Sequence, residues 1–427
     1  MKKQSVKQAF APAFAIVLLC VPVLLPATLF SISPIRSAKV EASGDSFRDG
    51  EIIVGLAAGV NISAFNARHN LIFKEQIAGT NQYLLGLPFG ATVEDKHAEV
   101  AGDTSVVFSG PNFNFKHAEV RQRSQAYVDQ RSQAYVDGQS PVNFFGQPSV
   151  SRLHVAEAQQ ITRGWGVRVA VIDTGIDPTH PLLAGRIAYP NFDFVDNDSD
   201  PREVAGGLGY GHGTFVSGLI SLAAPGAVIM PLRAFGPDGA GSSFNIAKAI
   251  RFAADNGAQI INMSFGLLDR DPLIDDAMQY AYQRAYMVAA AGNDNLKSLH
   301  FPAVRSSKTL AVTSTDANDL KAPFANFNAG VQVAAPGVNL YSAYPGNRWA
   351  MWSGTSFSTA LVTGEAALLL QLNPTLNRTA INTIVTSAGI NLDAFNPAYA
   401  GMLGRVRVDY LEATKFLLAG NRRFANK

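Results

Sequence analysis

Short apolar runs recur along the C-terminal two thirds of the chain, at Val169–Ile172, Ala227–Arg233, Ile260–Met263 and Met287–Ala291, with a shorter one at Val331–Ala334. Each is too short for a helix and continuous rather than alternating, as in strands buried on both faces of a parallel sheet. Between and around them lie helical stretches, Leu153–Thr162, Phe215–Ala223, Asn245–Asn256, Pro272–Arg284 and Phe357–Leu370. Such alternation predicts an α/β class domain, a doubly wound parallel sheet with helices on both faces, over residues 151–418.

The pattern changes upstream. Residues 48–118 alternate in a way that predicts strands at Glu51–Leu56, Leu71–Ile77, Gln82–Leu87 and Thr104–Ser109, with helices at Ile62–Asn70 and Thr92–Val100. This β-α-β-β-α-β order is that of a small ferredoxin-like α+β domain. Residues 119–150 are rich in Gln, Ser, Gly and Pro, and Arg-Ser-Gln-Ala-Tyr-Val-Asp occurs at 123–129 and again at 131–137. Two copies are too few for a solenoid, so the segment is expected to be a flexible, protease-accessible linker. Residues 1–44 begin with Lys2, Lys3 and Lys7, continue through an uncharged run from Gln8 to Pro34, and offer small residues at Ala42-Ser43. That is the order of a cleavable export signal, which implies secretion. An uncleaved membrane anchor facing outward is the alternative, opposed by Pro12, Pro22 and Pro26.

Composition narrows the chemistry. A chain of 427 residues can bury a large core. Its formal charge of +2, with no basic cluster, carries no footprint of nucleic-acid binding. The single cysteine, Cys20, lies in the N-terminal apolar run, so the rest of the chain has neither disulfide nor thiol chemistry.

Three stretches place reactive residues at the edges of buried elements. Gly354-Thr355-Ser356 leads into the Phe357–Leu370 helix, so Ser356 falls in a first turn whose N–H groups lack intrahelical partners. Asp173 ends an apolar strand, at the end of α/β sheets where sites collect. Gly211-His212-Gly213-Thr214 opens another helix with His212 at its start. Taken singly, Ser356 could be an N-cap, Asp173 a turn residue and His212 a loop histidine.

Together the stretches identify a resemblance. Val-Ile-Asp-Thr-Gly-Ile-Asp (171–177), Gly-His-Gly-Thr (211–214), Ala-Ala-Gly-Asn (290–293) and Gly-Thr-Ser-Phe-Ser-Thr-Ala (354–360) resemble, in order, the motifs of the subtilisin-like serine proteases. The resemblance implies an Asp173–His212–Ser356 triad, with Asn293 as side-chain oxyanion donor. It also implies substrate-binding edges at Gly239-Ala240-Gly241 and Ser264-Phe265-Gly266, and His300 in the pocket for the residue before the scissile bond, where the family commonly has Gly. Residues 48–118 are similar in position, and in their Glu-Ile-Ile-Val-Gly opening, to the family's propeptides, which implies an intramolecular inhibitor and a self-processing zymogen. The expected protein is a secreted, monomeric endopeptidase acting on polypeptides. It would touch a membrane only through an uncleaved N-terminal segment. A non-catalytic peptide-binding protein on the same fold is the alternative, but it would have no reason to keep all four catalytic residues.

The chain departs from the family in three places. Ala360 and Leu361 stand where Pro and His are common, and Phe215 where His is common. The sequence after Leu219 passes through Ala223-Ala224-Pro225-Gly226 straight to the next strand, without the calcium-binding loop of some relatives. The dense carboxylate run Asp196-Asn197-Asp198-Ser199-Asp200 has Pro201 where a helix-loop-helix calcium loop needs Gly. No cofactor and no metal ligand is therefore expected, with structural calcium at this loop as the open alternative.

Overall fold

Residues 47–116 pair into an antiparallel sheet in the order β2-β3-β1-β4, from β1 (Phe47–Leu56), β2 (Ile72–Gln76), β3 (Gln82–Gly86) and β4 (Val106–Lys116). The computed structural model describes residues 47–116, 134–138 and 141–425. The expected export signal and the first repeat copy lie outside the described residues. Two helices, α1 (Ile62–His69) and α2 (Val93–Ala101), connect the strands in split β-α-β order. Both begin where their caps dictate. Asn61 Oδ1 accepts from Ala64 N at 3.0 Å and Thr92 Oγ1 from Asp95 N at 3.1 Å, each meeting a first-turn N–H that the helix leaves unpaired. Asn70, in the left-handed region at φ 50°, closes α1.

The fourth strand overruns its expected end at Ser109. Asn114, Phe115 and Lys116 pair antiparallel with Ser242, Gly241 and Ala240, so the edge of the following domain extends it. The expected linker is corrected in its second half. Residues 135–138 form β5 (Tyr135–Gly138) on another sheet, and α3 (Val142–Phe145) and α4 (Pro148–Arg152) follow. Buried Phe144 holds this stretch through ring contacts with Phe145 and Trp349. The helix expected at 153–162 is broken at its start. His154 takes φ 51° with its imidazole 2.7 Å from Asp409, and only α5 (Val155–Gln159) remains helical.

The large sheet has nine strands in the order β16-β17-β13-β12-β11-β10-β6-β8-β7. Its centre is parallel: β6 (Arg168–Asp173) lies between β8 (Val228–Arg233) and β10 (Ile260–Met263), followed by β11 (Tyr286–Ala290), β12 (Leu310–Thr315) and β13 (Val333–Pro336). The other edge is β7 (Phe192–Asp193), beside β8. The short pair β16 (Gly389–Ile390) and β17 (Arg407–Val408) ends the sheet. Strand β12 has no counterpart in the sequence reading. Its last three residues are hydroxylic, yet all six are buried, with Thr313 Oγ1 donating to Asn326 O at 2.6 Å.

Helices cover both faces. On one lie α6 (His212–Ala223) and α9 (Thr355–Leu372), packed through Phe215, Leu219, Phe357 and Leu361. On the other lie α7 (Ser243–Asp255) and α8 (Pro272–Ala281), packed through Phe244, Ile250, Ile274 and Met278. The chain closes with α10 (Arg378–Ser387) and α11 (Tyr410–Ala425). The N-terminal sheet rests on α7 and α8. Gln82 Nε2 donates to Asp276 Oδ2 at 2.7 Å, and Glu75 pairs with Lys248. No helix among the described residues is long and apolar enough to cross a membrane.

Candidate active site

Asp173 is the last residue of β6, and His212 the first of α6. Their side chains meet at 2.8 Å, Nδ1 to Oδ1, and Thr174 N donates to the same oxygen at 2.8 Å. Because the acceptor is a carboxylate, the ring carries its proton on Nδ1. The close approach depends on Gly213: a Cβ there would stand 2.1 Å from the Gly175 carbonyl oxygen. An aromatic cluster shapes the rest of the His212 environment. Its ring lies edge-on to Trp352 at 5.6 Å and beside Phe357 at 5.4 Å, with Phe215 packed on Phe357 at 4.5 Å. Phe215 is thus a packing residue of this site. Trp352 belongs to a hairpin, β14 (Leu340–Tyr344) and β15 (Arg348–Trp352), that the apolar pattern left unread.

Ser356 is the second residue of α9. Its Oγ donates to Ser264 O at 3.0 Å, and Ser264 Oγ donates back to Ser356 O at 3.1 Å. Asn262 Nδ2 donates to Ser264 Oγ at 2.8 Å and Thr363 Oγ1 to Asn262 Oδ1 at 2.9 Å, which fastens α9 to the end of β10. Asn293 accepts twice at Oδ1, from Thr355 N at 2.9 Å and Thr355 Oγ1 at 2.8 Å. Those bonds fix which end of the carboxamide is oxygen and turn the NH2 away from Thr355. Asp173, His212, Asn293 and Ser356 are all buried. All four come from carboxyl ends of strands or helix N-termini on one side of the sheet, where fixed dipoles and open N–H groups meet.

The expected substrate edges fall where the chain already seats a strand. Gly239 has φ +76° and Gly241 lies in β9 (Ala240–Ser242), which carries the end of β4. Phe115 points into an aromatic wall. It is buried, 6.1 Å edge-on to Phe265, which stacks on Phe235 at 5.2 Å. Gly266 faces His300: a Cβ at Gly266 would lie 2.7 Å from His300 Cβ, and one at Gly292 would lie 2.8 Å from His300 Nδ1. The imidazole is buried between these two glycines, and its Nε2 pairs with Asp294 Oδ2 at 2.6 Å.

Glu203 is a residue of this neighbourhood that the sequence did not offer. Its carboxylate accepts from Thr174, Thr214 and Gly211, and burial pushes it up to about 7, with the charge of Asp173 adding to burial and the hydrogen bonds opposing it. A lone acid in a glycine-rich loop has no periodicity or motif to betray it. In the acidic loop nearby, Arg233 from β8 pairs with Asp193 and Asp196, and Arg202 with Asp200. Among the described residues no group of three or more His, Cys, Asp or Glu is arranged to hold a metal ion.

A family model described as "Subtilase family" matches residues 164–408, more than half of the chain and all four motifs. The chain belongs to the subtilase family. It is a subtilisin-like serine endopeptidase by that membership and by its relatives. Thermitase from Thermoactinomyces vulgaris is 38% identical over 51% of this chain and 80% of its own length. Subtilisin BL from Lederbergia lenta is 35% identical over 56% of this chain and 89% of its own. The crystal structure of fervidolysin from Fervidobacterium pennivorans, a keratinolytic enzyme related to subtilisin, superposes with TM-score 0.71 over 88% of this subtilase and 62% of that chain. At 23% identity that likeness concerns the fold.

Proposed function

We propose that this subtilase is a secreted, self-processing endopeptidase in which Asp173, His212 and Ser356 act as a triad, and that it works as a monomer without cofactor. The observation that carries the reading is the 2.8 Å Asp173–His212 bond, with its tautomer fixed, at the sheet end where Ser356 opens α9. Ser356 Oγ bonds to the substrate carbonyl carbon while its proton passes to His212 Nε2. As the C–N bond breaks, His212 returns that proton to the leaving amine, leaving an acyl-enzyme. Water then repeats the sequence and releases the acid. Asp173 holds the imidazole and stabilises its charged form. Asn293 Nδ2 and the Ser356 N–H receive the oxyanion, each donor contributing about 3 kcal/mol in the transition state.

In this reading residues 48–118 are the propeptide and 151–418 the catalytic domain, with 1–44 as an export signal. The pairing of β4 with β9 supports the assignment, because it lays the chain along the edge that a substrate would use. Gly239, Gly241, Ser264 and Gly266 would flank a bound polypeptide, and His300 would narrow the pocket before the scissile bond. A serine-directed fluorophosphonate tests the reading. The processed enzyme is expected to label at Ser356, while Ser356→Ala accumulates unlabelled and unprocessed in a protease-free host. Failure of the processed wild type to label would overturn the triad. Normal maturation of Ser356→Ala would instead assign processing to another protease.

A further inference from the structure

We propose that Glu203 is a positioning residue of the triad, one carboxylate that fastens the turn after Asp173 to the first turn of the helix bearing His212. The proposal rests on the reading of Asp173, His212 and Ser356 as the triad. The N-cap of helix α6 is Gly211, which has no side chain to cap it, and no cap bond comes from that position. Glu203 supplies the cap from outside. Its Oε2 accepts from Gly211 N at 3.1 Å, and its Oε1 from Thr214 N at 3.0 Å and Thr214 Oγ1 at 3.1 Å. A negative charge at this end is also favoured by the helix dipole.

The same carboxylate reaches the other half of the pair. Thr174 Oγ1 donates to Glu203 Oε1 at 3.2 Å, lies 3.3 Å from Asp173 Oδ1, and accepts from Gly213 N at 3.0 Å. Thr214 Oγ1 accepts from Asp177 N at 2.9 Å, which closes the tie on the far side of the turn. The Glu203 backbone is anchored to that turn as well, its N–H donating to Ile176 O at 3.1 Å, while Ile176 N donates to Pro201 O at 3.0 Å. Asp173 and His212 are thus each one residue or one hydroxyl away from a single acceptor group. The residue is half-buried and its charge is set among few others. Asp173 acts on it from β6, and Tyr210, just before α6, and Tyr344 from β14 feel its charge, with Arg348 and Asp177 also acting on Tyr210.

Two consequences separate positioning from mere stability. Loss of the carboxylate loosens the imidazole, which lowers turnover more than substrate binding. Loss of its charge removes an anion that favours the imidazolium, so the acid limb of activity moves to lower pH. The test compares Glu203→Ala and Glu203→Gln with the wild type by kcat and KM on a short chromogenic peptide amide across pH 5–9, per titrated active site, with Ser356→Ala assayed per mole of protein as the control. Glu203→Ala is expected to lose about ten- to a hundred-fold in kcat with KM within about two-fold, and Glu203→Gln to recover part of that loss. The acid limb of Glu203→Gln is expected about half a pH unit below that of the wild type. Wild-type kcat and acid limb per titrated site, whatever the change in melting temperature, would overturn the proposal. If Glu203→Ala does not fold, Glu203→Gln decides alone; a folded Gln chain that fails to mature supports the proposal. Activity retained in Ser356→Ala would sink the triad itself, whereas a dead Ser356→Ala beside normal Glu203 variants would remove only Glu203.

Discussion

Glu365 sits inside the helix that carries Ser356, buried, with neither carboxylate oxygen hydrogen-bonded. Burial pushes its pKa well above the ordinary carboxylate value, and the charge of Asp409 adds to that. The folded protein therefore keeps a proton that the unfolded chain releases above about pH 4.5. Stability contributed by this group falls as pH rises from there toward the folded pKa, at about 1.4 kcal/mol per pH unit. Glu365→Gln, made in a Ser356→Ala background to prevent autolysis, is expected to melt higher than its parent, with a gap that widens from pH 5 to pH 8. Parallel melting curves across that range would contradict a neutral buried acid. His300 poses a question of specificity instead. Its imidazole fills the space between Gly266 and Gly292, and Asp294 supplies the partner its polar edge requires. An acidic substrate side chain would meet that carboxylate and is expected to fit poorly. The order of kcat/KM is expected to be Leu above Phe and Glu, and His300→Gly should raise Phe relative to Leu by about ten-fold. An unchanged ranking would remove His300 from the pocket.

The strand ends do more than hold residues in place. The last residues of β4 lie on β9 with Phe115 against Phe265, which packs in turn on Phe235, so this chain displays how an extended peptide can be held. Main-chain pairing is indifferent to sequence, while the aromatic wall is not. A fluorogenic peptide copying residues 110–122 is expected to lose about ten-fold or more in kcat/KM when its Phe115 is replaced by Ala, near 1.4 kcal/mol or above. Equal rates would show that substrates do not follow the path of β4. Elements with continuous apolar runs were legible in advance. Ile260–Met263 falls where the sequence put it, and β6 and β8 within a residue. Strand β12 and the β14–β15 hairpin were not, for a definite reason. Thr313, Ser314 and Ser342 are fully buried because partners remote in sequence meet their hydroxyls, Ser314 with Ser358 and Ser342 with the Phe215 carbonyl. A polar residue paid for by a distant hydrogen bond looks like a loop residue to any local reading.

Across the whole molecule, one sheet separates two hydrophobic clusters and gathers the four family motifs on one edge. A third cluster, built from Ile52, Val54, Phe65, Leu85 and Val100, belongs to the N-terminal unit. The opposite face of that unit's sheet contributes Ile53, Ile77, Phe113 and Phe115 to the core around α7 and α8. The sequence by itself determined the periods of the strands and helices, the split order of the N-terminal unit, and the identity and order of Asp173, His212, Asn293 and Ser356. Those features are local, because periodicity, caps and short glycine-bounded motifs are written in neighbouring residues. Only the tertiary structure decided that β4 continues onto β9, that residues 135–138 join a hairpin far along the chain, that His300 is enclosed with Asp294, and that Glu203 ties both halves of the Asp173–His212 pair. Each is a contact between residues distant in sequence. Its free energy depends on which donors and apolar surfaces folding brings within a few ångströms, and no local pattern encodes that distance.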